Sequence, residues 1–327
     1  MQSSSRPALL VLELWGLGDL ALAVPFLREA ARHTDTTLVT KPQWAPLVET
    51  FCGNVALVPF VAPWTAFTGK YRLPSWPWRE LFALRRTLRA RRFDVGVSVR
   101  PDPRDHLLLL LAGARRRVGF PRAGSSLLLS TRLEDGRTLH RAEAWRRLAA
   151  TQGWTVPASA GRLRPSAPGA PIVLHSGAAR PTRLWPLDRY ADLAGRLRRM
   201  GRTVRVHCDA GQLAAWRALG EAGATTPADP QALIDAVADA ALFVGNDSGP
   251  GHVAALCGVP TFTIFGPNLS ARFSPVHPAA AWVDGHDCPY KPCRDYCRFP
   301  SPYCLDGITA DEVWPKLEAW VGRPCSA

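Results

Sequence analysis

Short apolar runs recur along the whole chain, and between them lie stretches whose apolar residues return every three or four positions. Residues 8–14 are apolar at every position but Glu13 and read as a buried strand. That strand ends in Gly16-Leu17-Gly18-Asp19, and a helical pattern follows over residues 20–32. Residues 38–40, 55–59 and 95–99 read as further short buried strands. A segment rich in Pro, Ala, Gly and Ser, residues 157–171, lacks periodicity and reads as a linker. The pattern then restarts with strands over 172–175, 203–207, 241–244 and 261–265. Helices are predicted over 187–200, 212–222, 231–238 and 252–257. Strands that alternate with helices predict parallel, doubly wound sheets. A chain of 327 residues exceeds one ordinary core and suits two domains, here residues 1–160 and 161–327.

Composition narrows the setting. The longest apolar run, residues 107–114, falls far short of the roughly 20 residues needed to span a bilayer. The first apolar stretch carries Glu13 and Asp19 and lacks the form of a secretory signal. A cytoplasmic setting with reduced cysteines is therefore expected. The formal charge of +13 is uneven: residues 1–160 hold 23 Lys/Arg against 12 Asp/Glu, and the remainder 17 against 15. A basic first half predicts an acidic partner, whether a phosphorylated lipid surface, an anionic sugar or nucleic acid. A general coding bias toward arginine is the alternative.

The most specific pattern lies in the second half. Gly245-Asn246-Asp247-Ser248-Gly249-Pro250-Gly251-His252 closes a strand with a turn of small residues and opens a helix. Such a turn lets backbone N–H groups approach a phosphate, and the helix dipole favours the anion. Ser248 can add a hydroxyl, and His252 can donate to a diphosphate oxygen. Asp247 is itself negative and suits the hydroxyls of a sugar. A simple strand–helix connection with a capping Asp or Ser would read the same way.

Extended through Val253-Ala254-Ala255, Gly258-Val259-Pro260-Thr261 and Phe265-Gly266-Pro267, this stretch resembles the donor-site signature of the bacterial heptosyltransferases, glycosyltransferase family nine. His175-Ser176-Gly177 with Arg183-Leu184-Trp185-Pro186 resembles the family's loop and Lys-x-Trp-Pro segment, with arginine in place of the usual lysine. Cys208-Asp209-Ala210-Gly211-Gln212 departs further, because the family tends to have a glutamate that grips the ribose. Gly18-Asp19 followed by a helix and Pro25 resembles the family's first motif, in which the aspartate is held to be the general base. Phe93-Asp94-Val95-Gly96-Val97 and Arg117-Val118-Gly119-Phe120 extend the likeness over most of the chain.

The resemblance implies an α/β protein of GT-B architecture, two Rossmann-like domains facing a central cleft. It implies an inverting, metal-independent transfer of heptose from ADP-heptose. Asp19 would be the catalytic base, and Ser176, Gly177, Arg183, Gln212, Asp247, Ser248, Gly249 and His252 would bind the donor. No cofactor is expected, and the chain has no Asp-x-Asp pair of the kind that holds a metal against a sugar nucleotide.

Arg100 and Asp102 follow a strand end, where ligands of open α/β sheets gather, and are candidates for acceptor binding, with His140 a weaker one. The family likeness implies an acceptor in the lipopolysaccharide inner core. A soluble acceptor such as a nucleoside or an aminoglycoside precursor is the alternative. Trp64, Phe67, Tyr71, Trp76, Trp78 and Phe82 are interleaved with Lys70, Arg72, Arg79, Arg85, Arg86 and Arg89. Amphipathic rings beside cations suit an anionic membrane surface bearing a lipid-linked acceptor. They would equally suit single-stranded nucleic acid, but no nucleic-acid motif accompanies them, and no nucleic-acid partner is expected. Cys288, Cys293, Cys297 and Cys304 cluster within residues 288–304. Their spacing leaves zinc binding, disulfides and free thiols all open.

Overall fold

The computed structural model describes residues 6–157, 166–293 and 295–322. The chain divides into two compact units, Met1–Pro157 and Ala158–Ala327. Of the segment read as a linker, residues 158–165 lie outside the described residues.

Unit 1 is built on six parallel strands, β1 (Ala8–Leu12), β2 (Asp35–Thr40), β3 (Ala56–Pro59), β4 (Val95–Ser98), β5 (Arg116–Gly119) and β6 (Thr131–Arg132), in the order β3-β2-β1-β4-β5-β6. This is the Rossmann order, in which the chain reverses direction across the sheet beside β1. β1 has no polar residue because it is central and covered on both faces, and Leu9 to Leu12 are all buried. Helices α1 (Leu17–His33), α2 (Ala45–Cys52), α3 (Trp78–Ala90), α4 (Pro103–Leu111) and α5 (Arg141–Ala150) complete the unit. α1 begins at Leu17, three residues before the expected start, so Asp19 sits in its first turn. Phe26 of α1 packs against Trp145 of α5 with ring centroids 4.9 Å apart.

Unit 2 carries five parallel strands, β7 (Ile172–His175), β8 (Val204–His207), β9 (Leu242–Asn246), β10 (Thr261–Phe265) and β11 (Ala281–Asp284), ordered β11-β10-β9-β7-β8. The order reverses between β7 and β9, so the loops that follow these two strands share one end of the sheet. Its helices are α6 (Leu187–Arg199), α7 (Leu213–Ala218), α8 (Pro230–Ala238), α9 (Gly249–Leu256), α10 (Ser270–Phe273), α11 (Tyr303–Asp306) and α12 (Ala310–Val321).

Two elements differ from expectation for local reasons. The helix expected over 212–222 shrinks to α7: Asp209 and Gln212 close a capping box around a tight turn just before it, and Gly220, with a φ of 89°, ends it. α9 starts at Gly249 rather than near His252, since Pro250 in the first turn already has helical φ and lacks an N–H to leave unpaired. No described helix is long and apolar enough to cross a membrane.

Candidate functional site

In unit 1 a group of charges gathers at the ends of three neighbouring strands. Asp19, just past β1, forms an ion pair with Arg100, which follows β4. Arg141, at the start of α5, brings its Nε to 3.6 Å from the same carboxylate. Arg141 is buried, and its Nη1 donates to the carbonyl of Val99 at 3.2 Å. A buried guanidinium needs a nearby anion, and Asp19 supplies it. The helix N-terminus adds its partial positive charge. Arg100 also lies over the Trp15 ring, 4.6 Å from its centroid, which fixes the plane of the guanidinium.

Glu13 is fully buried beside this group. Its Oε1 accepts from the Trp15 N–H at 3.2 Å, and its Oε2 has no hydrogen-bond partner among the described residues. Burial, and then the charge of Asp19, push its carboxyl up to about 8 against the pull of Arg100 and Arg141. Lys41, just past β2, is held below its ordinary range by burial, while Glu13 and Asp19 oppose that shift. With Glu13 protonated, three cations surround one carboxylate, so the pocket of charge is net positive.

Arg100 therefore stands with Asp19 and not with Asp102. Asp102 is the N-cap of α4: it accepts from the Arg104 N–H at 3.0 Å and from the Arg104 side chain at 2.9 and 2.7 Å. His140 likewise caps α5, accepting from the Ala142 N–H at 3.1 Å. Its neighbour Arg141 is the residue that approaches Asp19. Sequence reasoning missed Arg141, Glu13 and Lys41. The one available signal was a charged Glu13 in an otherwise apolar strand.

In unit 2 the loops after β7 and β9 meet. Asp247 is buried and accepts from Asn268 Nδ2 at 2.5 Å, and Arg183 Nη1 stands 3.7 Å from it. Ser248 occupies the N-cap position of α9 with no side-chain cap, and its buried Oγ has no hydrogen-bond partner among the described residues. Gly249 opens the helix, and His252 lies buried within it. Thus Asp247, Ser248, Gly249, His252 and Arg183 lie along one strand–turn–helix and the loop beside it.

Ser176 and Gln212 fall in the same region but are spent on the scaffold. Ser176 is fully buried: its Oγ accepts from Trp216 Nε1 at 2.9 Å and lies 3.0 Å from Gln212 Oε1. Gln212 also accepts from the Asp209 N–H at 3.2 Å and donates to the Ser176 carbonyl at 3.3 Å. The Gly177 N–H donates to His175 Nδ1 at 3.2 Å, and a Cβ at Gly177 would lie 2.3 Å from Asp209 Oδ1. Gly177 is needed for this close approach. Burial pushes His175 down to about 4, so it is a neutral acceptor here. Asn246 pins the two loops together, donating to the Ser176 carbonyl at 2.7 Å and accepting from Tyr190 Oη at 2.9 Å and the Trp185 N–H at 3.2 Å.

Cys288, Cys293, Cys297 and Cys304 line one small cavity and are all free thiols. Burial pushes the Cys304 thiol up to about 11. Among the described residues no group of three or more His, Cys, Asp or Glu is arranged to hold a metal ion.

The family model described as glycosyltransferase family 9 (heptosyltransferase) matches residues 81–301. Lipopolysaccharide heptosyltransferase 1 of Pseudomonas aeruginosa is 28% identical over 186 residues, covering 50% of this chain and 52% of that protein. The chain thus spans about half the length of the curated relative it matches. Among solved structures, E. coli heptosyltransferase WaaC with ADP superposes with a TM-score of 0.72 at 18% identity, covering 96% of this chain and 99% of that one. The same enzyme with ADP-2-deoxy-2-fluoro heptose gives 0.70 at 19% identity over 95% and 99%. A family 9 glycosyltransferase from Veillonella parvula gives 0.75 at 21% identity over 98% of each chain. These structures share the fold, two parallel-sheet α/β units of the GT-B kind.

Proposed function

The chain belongs to glycosyltransferase family 9, the heptosyltransferases, and from that premise we propose that it transfers heptose from ADP-heptose, with inversion and without a metal, to a hydroxyl of a lipopolysaccharide inner-core sugar. Unit 2 binds the donor and unit 1 the acceptor. The observation that carries the donor reading is the turn at the head of α9. There a buried Ser248 hydroxyl without a partner sits beside Asp247, which faces Arg183. A diphosphate on this turn would take the Ser248 hydroxyl and the first N–H groups of α9. Asp247 would accept from sugar hydroxyls. The E. coli relative has been solved with ADP and with a fluorinated ADP-heptose, which agrees with a nucleotide-diphosphate sugar here.

Asp19 acts as the base. The acceptor oxygen attacks the anomeric carbon from the face opposite the leaving group, the bond to the diphosphate breaks, and ADP leaves with the electron pair. The acceptor hydroxyl becomes acidic as its new bond to carbon forms, and its proton passes to Asp19. Arg100 and Arg141 keep that carboxylate ionised and aimed until then. Arg183, Ser248 and the helix N-terminus stabilise the charge on the departing ADP, so the step needs no metal. The positive surroundings of Asp19 suit an acceptor that carries phosphate.

Such an acceptor is lipid-linked, and unit 1 has a surface to match. Phe67, Tyr71, Leu73, Trp78 and Phe82 are exposed among Arg72, Arg79, Arg86 and Arg89. Rings and cations together favour the headgroup layer of an anionic membrane.

Calorimetric titration with ADP-heptose, ADP and UDP-sugars tests the donor reading, repeated on Asp247→Ala. Selective binding of ADP-heptose that weakens in the variant is expected. Preference for a UDP-sugar would replace the heptose, and failure of folded protein to bind any nucleotide sugar would overturn the transferase.

A further inference from the structure

We infer that Asp295, in the cysteine-rich segment, is a positioning residue for donor binding: it fixes the plane and direction of the Arg183 guanidinium that meets the diphosphate. This rests on the donor reading above. Arg183 donates from Nε to Asp295 Oδ1 and from Nη2 to Asp295 Oδ2, each at 2.7 Å. Two parallel bonds of this length are the fork-to-fork pairing that aligns guanidinium and carboxylate in one plane. The pair consumes one edge of the guanidinium. The remaining nitrogen, Nη1, is the one that stands 3.7 Å from Asp247 in the turn leading to α9. Asp295 thus directs the other edge of Arg183 toward the residues assigned to the donor.

Three further features mark the contact as built. The partners are 112 residues apart in sequence, so this is not a local surface pair. The Asp295 carboxylate is only 9% exposed, which spares it most of the screening that weakens surface pairs. Asp295 also has a φ of 68°, a left-handed conformation that Asp and Asn tolerate better than other side chains. Its backbone N–H meanwhile hydrogen-bonds the Cys293 thiol. The turn that carries Asp295 is therefore held by the cysteine cluster on one side and by Arg183 on the other. A lysine at position 183 could not take this part. An ammonium has no planar edge to be gripped while a second edge stays on offer.

Asp295→Asn tests the inference, because asparagine keeps the shape and accepts the same backbone conformation while losing the charge. Titrations of ADP and of adenosine separate positioning from general damage, since adenosine has no phosphate for Arg183 to meet. The expected result is a loss of about tenfold in affinity for ADP and for ADP-heptose, with adenosine unchanged. Arg183→Lys should lose a similar amount, and the double variant should lose no more than either single one, because both break the same contact. Unchanged ADP affinity in Asp295→Asn, or losses that add in the double variant, would overturn the inference. An equal loss for adenosine would also overturn it, by reducing Asp295 to a fold contact. If Asp295→Asn did not fold, Arg183→Lys puts the question alone: it keeps the charge without the fork, and undiminished ADP binding would decide against positioning. Failure of the unaltered protein to bind ADP-heptose or ADP would instead remove the donor reading, an outcome distinct from all of these.

Discussion

Glu13 and Asp19 sit on either side of the turn that follows β1, and the two carboxyl groups meet different surroundings. Glu13 is buried, and burial together with the charge of Asp19 pushes its carboxyl up to about 8. Asp19 has Arg100 and Arg141 against it and serves as the anion of the group. Two acids six residues apart in sequence thus differ because Asp19 holds the direct contacts to Arg100 and Arg141, whereas Glu13 is fully buried and feels those cations only at a distance.

A pH dependence of stability follows. The Glu13 carboxyl is raised in the folded protein, so the folded state holds this proton where the unfolded chain has released it. The favourable contribution is full below the ordinary carboxylate range near 4.5 and is lost as pH rises through about 8. Glu13→Gln removes that dependence while keeping the shape. Its unfolding free energy should be close to that of the parent at pH 5 and higher at pH 8.5, by an amount on the order of 1–3 kcal/mol, seen as a higher melting temperature. Melting curves that stay parallel across this range would show that Glu13 is ionised in the fold.

Asp19→Asn should separate chemistry from donor binding. The substitution keeps the size of the side chain but removes the proton acceptor, and turnover should fall by roughly 10²–10⁴-fold. ADP-heptose affinity measured by calorimetry should stay within about twofold, because the donor residues belong to unit 2. Turnover that survives in Asp19→Asn would move the base elsewhere in the group.

The parts of this arrangement that could be read from sequence are those encoded locally. Strands β7 and β10 are uninterrupted runs central to their sheet, and they lie at Ile172–His175 and Thr261–Phe265, where the apolar pattern ends. β5 escaped notice because two of its four residues are arginines, and β11 because it is short and only half-buried. Asp19 stood out through the family resemblance of the Gly18-Asp19 motif, and Asp247 through its place in a turn of small residues that the same resemblance covers. Arg141 and Lys41 did not. Lys41 comes near Asp19 because β2 and β1 lie side by side, and Arg141 because α5 packs on α1, pairings that no local pattern specifies. Ser176 and Gln212 were legible as polar residues near the site but not as partners of each other and of Trp216. Arg183 was read as a cation for the diphosphate, and its partner Asp295 lay hidden in a segment dominated by cysteines.

Asn246 carries a structural prediction. It joins the loops after β7 and β9 through three hydrogen bonds and is itself buried. Asn246→Ala leaves the Ser176 carbonyl and the Tyr190 hydroxyl short of a partner inside the protein. The expected loss is about 2–4 kcal/mol of stability, read in denaturant unfolding of unit 2. Because the same bonds hold the donor loops together, ADP affinity should fall as well. A variant as stable as the parent would mean that water replaces the side chain at no cost.

The exposed rings and arginines of α3 and the loop before it make the last prediction. Leu84 and Leu88 turn into the core of unit 1, while Trp78, Phe82, Arg79, Arg86 and Arg89 face outward. Arg86 and Arg89 are exposed, so changing them should leave the fold intact. Arg86→Glu with Arg89→Glu reverses two charges, each worth about 1 kcal/mol near an anionic leaflet. Co-sedimentation with vesicles containing phosphatidylglycerol should fall at least tenfold in this variant, and binding by the parent should weaken as salt rises. Phe82→Ser should reduce binding at high salt, where the apolar contribution dominates. Equal binding of parent and variants to neutral and anionic vesicles would separate this surface from the membrane.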